Sequence, residues 1–350
     1  METSLKREPA ASGQGERGFI ESLRPLVDDL RAHQPWRYWL DFGVNIAAFW
    51  AALSVLEIAG PWLQAGCYLV AVFTLYRCAM FIHELSHMPR RAVRGFNLAW
   101  NLTCGIPLLL PSFLYLSHMD HHTLARYGTR QDPEYLPFER RFASSMVTLT
   151  LGTLLTPLLL WVRFALVGPL SWCLPALRRL VVERYSAVTL HAAYRNNPAR
   201  LSARQAYNRL LEGLTSLYAW ALVVTAGSAL LPWNRIGWFL AVIYGVLFIN
   251  MFRTWLAHRY ASPGHPVSLQ WQLSDSTTHA RQGGWIELFE PLAQRYHAMH
   301  HLFPALPYHA LKTAHERVMA ADGVAAELYR QTASAHPAPT SISFPTENPS

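Results

Sequence analysis

The sequence predicts an all-α membrane protein in which four transmembrane helices form two hairpins. Hydrophobic residues make up 51% of the 350 residues and charged residues only 15%, whereas a soluble domain carries about 25% charged residues. Several apolar stretches approach the roughly 20 residues that a helix needs to cross a bilayer. The mean hydropathy is only +0.10, so a large polar part must lie outside the membrane. This composition excludes an intrinsically disordered chain and a disulfide-stapled secreted scaffold.

The four predicted spans come in two pairs, each joined by a short connection. Gly60 and Pro61 favour a tight turn in the first pair, and Pro232 breaks the second. Two further apolar stretches, at 98–116 and 146–172, are long enough that the number of membrane crossings depends on whether they span. The predicted spans cover residues 39–58, 62–82, 214–231 and 236–256.

The positive charge indicates which side of the membrane the polar part occupies. The net charge of +8 is carried mainly by arginine, because Lys6 and Lys312 are the only lysines. Arginines are frequent in the N-terminal arm and in residues 84–210 but nearly absent from the loops near Gly60 and Pro232. The positive-inside rule therefore places both termini and residues 84–210 in the cytoplasm. It also explains the basic balance without nucleic acid as a partner.

The same pattern predicts three regions. Residues 1–35 form a polar N-terminal arm without the apolar core of a signal peptide. Residues 36–331 form the membrane domain, with a cytoplasmic helical cap built from 83–210 and 257–331. Residues 332–350 are rich in proline and polar residues, and we expect this tail to be disordered.

Three clusters of histidine follow apolar segments, and they are the candidate functional residues. Their patterns are HxxxH at 83–87, HxxHH at 118–122 and HxxHH at 297–301. Positions i, i+3 and i+4 lie on one face of a helix, so each cluster can present two or three imidazoles to one centre. Such a nitrogen-rich set suits iron, zinc or copper. The predicted ligands are His83, His87, His118, His121, His122, His297, His300 and His301.

If the three clusters meet, an even number of membrane crossings must separate each from the others. The stretch at 98–116 then cannot cross once by itself, and Pro107 and Pro111 suit a broken, re-entrant or interfacial path. The stretch at 146–172 should likewise stay on the cytoplasmic side, because a charge such as Arg163 is costly at the bilayer centre. Four crossings remain.

In these motifs the chain resembles the membrane-bound fatty acid desaturases. The motifs around His83, His118 and His297, the last followed by Leu302, Phe303 and Pro304, are similar to those of sphingolipid Δ4-desaturases and bacterial acyl-lipid desaturases. The resemblance covers roughly residues 38–318. It implies the same four-span topology and a cap that carries a di-metal site, a non-haem di-iron centre held by these histidines. It also implies a further histidine ahead of the third motif, for which His258 is the candidate.

The resemblance further implies an O2-dependent enzyme that removes hydrogen from an acyl chain. A second hydrogen abstraction gives an alkene and oxygen rebound gives an alcohol, and the sequence leaves both open. The substrate would be an acyl lipid carried as phospholipid, acyl-CoA or sphingolipid, in a tunnel lined by residues such as Tyr115 and Trp255. No catalytic residue beyond the metal ligands is predicted. The carboxylates expected to tune the ligands are Asp120, Asp132, Glu134 and Asp275.

Electrons must come from a separate carrier, because no HPGG motif of a fused cytochrome b5, no GxGxxG motif and no iron–sulfur cysteine set is present. A ferredoxin or cytochrome b5 type of donor would suit a basic docking patch. The scarcity of lysine favours a bacterial inner membrane. The candidate docking residues are Arg90, Arg91, Arg94, Arg126 and Arg130.

Three alternatives stay open. Histidine motifs of this kind also fit a hydroxylase of lipids, alkanes or carotenoids. Residues 83–87 match HExxH, in which two histidines bind zinc and Glu84 would be the general base of a membrane metalloprotease. That alternative leaves six of the eight motif histidines unexplained. A non-catalytic metal- or haem-binding module is the third.

Overall fold

A computed structural model describes residues 13–228, 230–280 and 283–334. Within these ranges the chain is helical and has no β-strand, and one antiparallel bridge joins His258 to Ser276. The α-helices are α1 (Gly13–Leu23), α2 (Pro35–Leu56), α3 (Pro61–His87), α4 (Phe96–Trp100), α5 (His118–His121), α6 (Phe138–Val162), α7 (Gly168–Cys173), α8 (Pro175–Arg184), α9 (Pro198–Ser202), α10 (Gln205–Gly227), α11 (Trp233–Leu256), α12 (Leu269–Asp275), α13 (His297–Leu302), α14 (Tyr308–Ala320) and α15 (Val324–Ser334).

The first two long helices, α2 and α3, form a closely packed pair. Each begins with proline, whose missing N–H has no partner at that position in any case. Tyr38 and Phe42 of α2 pack against Phe81 of α3. Helix α3 ends at His87 because Met88, which precedes Pro89, is extended. The pair thereby fixes where the first histidine motif stands.

The apolar stretch at 98–116 is broken, as predicted. Helix α4 passes into a π-helical turn at Asn101–Gly105, and a 3₁₀ turn follows at Ser112–Tyr115. The buried side chain of Asn101 holds the break together. Its carbonyl oxygen accepts from the backbone N–H of Ser112 (2.8 Å), and its amide donates to the backbone oxygen of Asn97 (2.7 Å).

Five helices of the described residues are long and apolar enough to cross a membrane, judged by length and composition. Helices α2, α3, α10 and α11 overlap the four predicted spans. The fifth runs Phe138–Cys173, with a kink at Arg141 near its start, and a π-helical turn at Arg163–Val167 joins α6 to α7; we call it the continuous helix. It contains the stretch at 146–172.

This continuous helix takes up the space between α10 and α11. Its middle contacts α11, where the Tyr244 hydroxyl donates to the backbone oxygen of Leu154 (3.1 Å). Farther along, the indole N–H of Trp161 donates to the backbone oxygen of Ala219 in α10 (3.2 Å). Helix α11 packs mainly on α3 and α6, and α10 mainly on α7 and the π-helical turn. Consecutive helices α10 and α11 therefore lack the close pairing of α2 with α3.

The remaining short helices form the polar part of the molecule. One apolar core joins α1 to α12, α13, α14 and α15, with Leu23, Met299, Leu311 and Tyr329 buried in it. This core includes α13, the helix that carries the third histidine motif. The described part of the predicted N-terminal arm is thus packed, with α1 at 13–23. The tail was predicted to be disordered from residue 332, but α15 extends to Ser334, so 332–334 are helical. The rest of that prediction, 335–350, lies outside the described residues.

Candidate metal centre

The nine predicted ligands come from four separate segments and lie together. His83 and His87 occupy the last two turns of α3. The second motif begins in the single turn of α5, and the third lies in α13. His258 follows the end of α11 by two residues. Seven of the nine side chains are buried, and His87 and His122 are partly exposed.

The nine histidines divide into two groups, each of which could hold one metal ion. Within a group, one side-chain atom from each residue lies within 4.8 Å of those of the others. The first group has five members, His83, His87, His118, His122 and His300, and the second has four, His121, His258, His297 and His301.

The division follows the i, i+4 pairs of the motifs. Histidines at i and i+4, such as His118 and His122, share a face and enter the same group. His121, at position i+3, enters the other group. In the third motif His297 and His301 pair in the second group, while His300 enters the first. Each HxxHH motif therefore contributes to both groups, which the sequence spacing alone did not predict.

The spacing of the imidazole nitrogens fits a metal ion. Nε2 atoms of neighbouring rings lie 2.9 Å apart for His118 and His122, and 3.0 Å apart for His121 and His258. Two nitrogens about 2.1 Å from one metal ion and about 90° apart would be about 3.0 Å from each other. The Nε2 atoms of His83 and His87 are buried and have no hydrogen-bond partner among the described residues. One cation in each group would satisfy these lone pairs.

Two carboxylates orient histidines of the second motif. Nδ1 of His118 lies 2.7 Å from an oxygen of Glu134, and Nδ1 of His121 lies 2.9 Å from both oxygens of Asp132. Each carboxylate accepts the Nδ1 proton, so that Nε2 keeps its lone pair for a metal. Burial opposes the charge of Glu134, but the neighbouring His118, His121 and Arg253 hold its pKa at about 2.

His258, the predicted ninth ligand, is oriented through a tyrosine. The Tyr127 hydroxyl lies 2.8 Å from Nδ1 of His258 and donates to Asp275 (2.7 Å). Asp275 also accepts from the Tyr135 hydroxyl (2.9 Å). Burial raises the pKa of Asp275 to about 6. Three of the four predicted carboxylates, Asp132, Glu134 and Asp275, thus contact a histidine of the centre directly or through one hydroxyl.

Asp120, the fourth predicted carboxylate, turns away from the histidines. It accepts from the guanidinium groups of Arg126 (2.8 Å) and Arg200 (2.7 Å) and from the Tyr194 hydroxyl (2.7 Å). Its contacts tie the second motif to the cap. Because Arg126 pairs with Asp120, it is not a free charge for the predicted docking patch.

Burial favours the neutral imidazole, which is the form that binds a metal. Burial and the neighbouring rings lower the pKa of six histidines. His121 differs: burial lowers its pKa, but the adjacent Asp132 outweighs burial and the net shift is upward. The six with lowered pKa are His118, His122, His258, His297, His300 and His301.

Two polar residues beside the centre were not predicted from the sequence. The side-chain amide of Gln294 lies 3.0 Å from Nδ1 of His83, and the guanidinium of Arg253 donates to the Gln294 side-chain oxygen (2.5 Å). Arg253 also borders a water-sized void of about 10 Å³ together with His121 and His297. Gln294 stands one turn ahead of His297, which is the only sequence signal that could have singled it out.

The side chain of Glu84 does not contact either group of histidines. Tyr38 donates its hydroxyl proton to Glu84 (2.8 Å), and the same oxygen accepts from the backbone N–H of Tyr308 (3.2 Å). In the metalloprotease alternative this carboxylate would be a general base beside the metal. Its engagement elsewhere, and the three further histidines that join His83 and His87, argue against that alternative.

Comparison with known proteins finds similarity over most of the chain. The family model described as fatty acid desaturase matches residues 59–333. The chain is 33% identical over 302 residues to a ceramide hydroxylase of Caulobacter vibrioides (strain NA1000 / CB15N), with 85% of each chain covered. No solved structure matches the chain.

Proposed function

The chain belongs to the fatty acid desaturase family, and from this premise we propose that it oxidises a C–H bond in the acyl chain of a ceramide-class lipid. Family and relative together make it a membrane oxidoreductase that acts on lipids. The observation that carries the finer proposal is the pair of histidine groups, which offers sites for two metal ions side by side. The proposed cofactor is a non-haem di-iron centre with O2 as co-substrate. The proposed ligands are all nine histidines.

Two irons held there would supply the redox chemistry that activates O2 for attack on an unactivated CH2 group. The chain's own residues have other tasks. Glu134 and Asp132 hold protons at Nδ1 of His118 and His121, and this fixes the ring orientation. Tyr127 does the same for His258. Burial of the ligands excludes bulk water from the reacting atoms.

Hydroxylation is the outcome that we propose first. Insertion of one oxygen atom into a C–H bond consumes O2, two electrons and two protons, and releases one water. The relative that aligns with 85% of the chain is a ceramide hydroxylase. This favours hydroxylation as the reaction and a ceramide-class lipid as the substrate. Desaturation, predicted from the sequence, is the second candidate because the family model is that of the desaturases. It uses the same O2, electrons and protons but releases two waters.

Four membrane crossings, by α2, α3, α10 and α11, are the topology that we propose. The contacts of the continuous helix Phe138–Cys173 support it. Its first residue, Phe138, packs against Tyr260 just beyond the site end of α11 (ring centroids 4.8 Å apart). Its far part returns to the site end of α10, where Arg163 pairs with Glu212 (2.6 Å). Both ends of this helix thus contact residues near the site ends of spanning helices.

We extend the proposal to the surroundings of this domain. Residues 36–331 are the membrane domain, 1–35 its arm and 332–350 its tail, and both termini and the histidines face the cytoplasm of a bacterial inner membrane. The electron donor is a separate acidic protein of the ferredoxin or cytochrome b5 type. Exposed Arg91, Arg94 and Arg130 provide a basic surface for it on the cap.

The test is lipid analysis of a host that makes ceramides and expresses the wild type or a histidine variant. We expect new lipids that carry one additional oxygen atom, with that atom labelled when isotopically labelled O2 is supplied. A loss of two hydrogens would identify desaturation instead. His118→Ala and His301→Ala each remove a ligand from a different group, and both should abolish the product. His265→Ala, an exposed histidine outside both groups, is the control.

The insertion of each variant is checked by its amount in the membrane fraction. Full turnover by either ligand variant would refute the shared centre. Retention of peptidase activity with one zinc per chain would refute the oxidoreductase proposal altogether.

A further inference from the structure

A second cavity lies outside the metal centre, between the α3–α4 connection and the start of α10. Its volume is about 540 Å³. Val93 and Leu98 contribute apolar surface. The polar side chains that line it are Arg90, Asn97, Arg204, Gln205 and Tyr207.

The two arginines of this cavity have no counter-charge. Within the described residues neither Arg90 nor Arg204 pairs with a carboxylate, and Arg90 donates only to the backbone oxygen of Ala203 (3.2 Å). Burial and the positive charge of Arg90 lower the pKa of Arg204. Arg90 is exposed and Arg204 is half-buried, so both guanidinium groups are accessible to a ligand. Two unpaired guanidinium groups that share one cavity form a site for an anion.

Three features place the cavity at the edge of the apolar part of the molecule. The candidate span α10 begins at Gln205, which lines the cavity. Leu98 and Leu102, on the broken segment beside it, are 44% and 49% exposed. Trp39, 42% exposed, packs edge-on against Phe96 next to the cavity (5.4 Å). Tryptophan at such a position is typical of the membrane–water interface.

We propose that this cavity binds the phosphate-bearing head group of a membrane lipid. The guanidinium groups of Arg90 and Arg204 donate hydrogen bonds to the phosphate oxygens, a geometry for which the planar fork of arginine is suited. The hydrocarbon of the lipid then lies over Leu98 and Leu102. This site goes beyond the proposed oxidation and does not depend on it.

The lipid has two sources, which share this chemistry. It is either an anionic phospholipid of the bilayer or a substrate whose head group carries phosphate. Arg90 follows the candidate ligand His87 by three residues, so about 10 Å of chain at most separates their backbones. A substrate anchored at the cavity would therefore meet the metal centre with a carbon near its polar end.

The test is native mass spectrometry of the purified full-length protein. Retention of phosphatidylglycerol is compared with retention of a diacylglycerol that has the same acyl chains but no phosphate. We expect Arg90→Gln and Arg204→Gln each to weaken phosphatidylglycerol binding about tenfold, the usual effect of losing a charge-assisted hydrogen bond. Arg204→Lys should retain part of the affinity. Arg179→Gln, an exposed arginine outside both the cavity and the proposed donor surface, should leave the affinity within about twofold.

Equal retention of the two lipids, or wild-type retention by the doubly substituted protein, would overturn the proposal. Inorganic phosphate that binds as tightly as the lipid would overturn the lipid assignment. Binding is measured without turnover, so failure of the proposed oxidation would leave this result intact. Turnover then separates the two sources. If the arginine variants have a raised KM for phosphate-bearing substrates alone, the bound lipid is the substrate. If they lose the same turnover with every substrate, it is a lipid of the bilayer.

Discussion

Replacing Asp132 by asparagine should remove metal from one of the two histidine groups and spare the other. Asp132 is fully buried and has three donors around it. Both of its oxygens lie 2.9 Å from Nδ1 of His121, and they also accept from the backbone N–H groups of Gly128 (2.8 Å) and Glu134 (2.9 Å). Asparagine offers one acceptor and one NH2 group. In either orientation the NH2 group opposes a backbone donor.

The size of the effect follows from these contacts. A buried donor left without an acceptor costs about 1–3 kcal/mol. Loss of the carboxylate that orients a metal-binding histidine weakens metal affinity about 10- to 100-fold, or about 1.4–2.8 kcal/mol. His121 belongs to the group of four, whose remaining members are His258, His297 and His301. We therefore expect the iron content to fall from about two to about one per chain in a graded chelator.

Asp120→Asn is the matched control for this experiment. Asp120 is also buried, precedes His121 directly and accepts from Arg126, Arg200 and Tyr194, but it contacts no histidine of the centre. Both variants are measured by iron content per chain in the same chelator series, and by thermal unfolding of the metal-free protein. Equal iron loss by the two variants would show that Asp132 acts through general stability, which would refute its role in orienting His121.

Three further outcomes follow from other contacts. Gln294→Leu removes the polar neighbour of His83 and leaves Arg253 buried without its acceptor, so iron content should fall selectively in the five-histidine group, as read by chelation kinetics. Glu212→Gln leaves Arg163 without its buried counter-charge and should cost about 3–5 kcal/mol in the free energy of unfolding, whereas Glu327→Gln on the exposed surface should change it little. Burial lowers the pKa of His315 from 6.5 to about 4, so between these pH values the unfolded chain binds more protons than the folded one. The melting temperature should therefore fall as the pH drops from 6.5 to 4. In His315→Gln the melting temperature should depend less steeply on pH over this range.

The membrane character and the candidate ligands could be predicted from the sequence because both depend on local patterns. A run of apolar residues near 20 is legible without any partner, and four of the five long helices overlap predicted spans. Histidine spacing is equally local, and the eight histidines predicted from it lie in the two groups, together with His258, which the family resemblance implied. The break at 98–116 was predicted from Pro107 and Pro111 together with the parity of crossings.

Contacts between distant segments could not be read in this way. Arg253 and Gln294 meet across 41 positions, and Tyr127 reaches His258 across 131. Asp120 and Asp132 are both carboxylates near the second motif, and from the sequence both were expected to tune the ligands. Only the fold turns one toward Arg200 and the other toward His121.

The sequence by itself determined an apolar helical chain with three histidine motifs as candidate ligands, and the family resemblance added His258 after the last span. The tertiary structure decided how those histidines divide. His118 and His122 enter one group and His121 enters the other, so one short segment serves two groups at once. That arrangement needs α3, α11 and α13 on both sides of this segment. The packing of these helices depends on long-range burial, which local spacing does not encode.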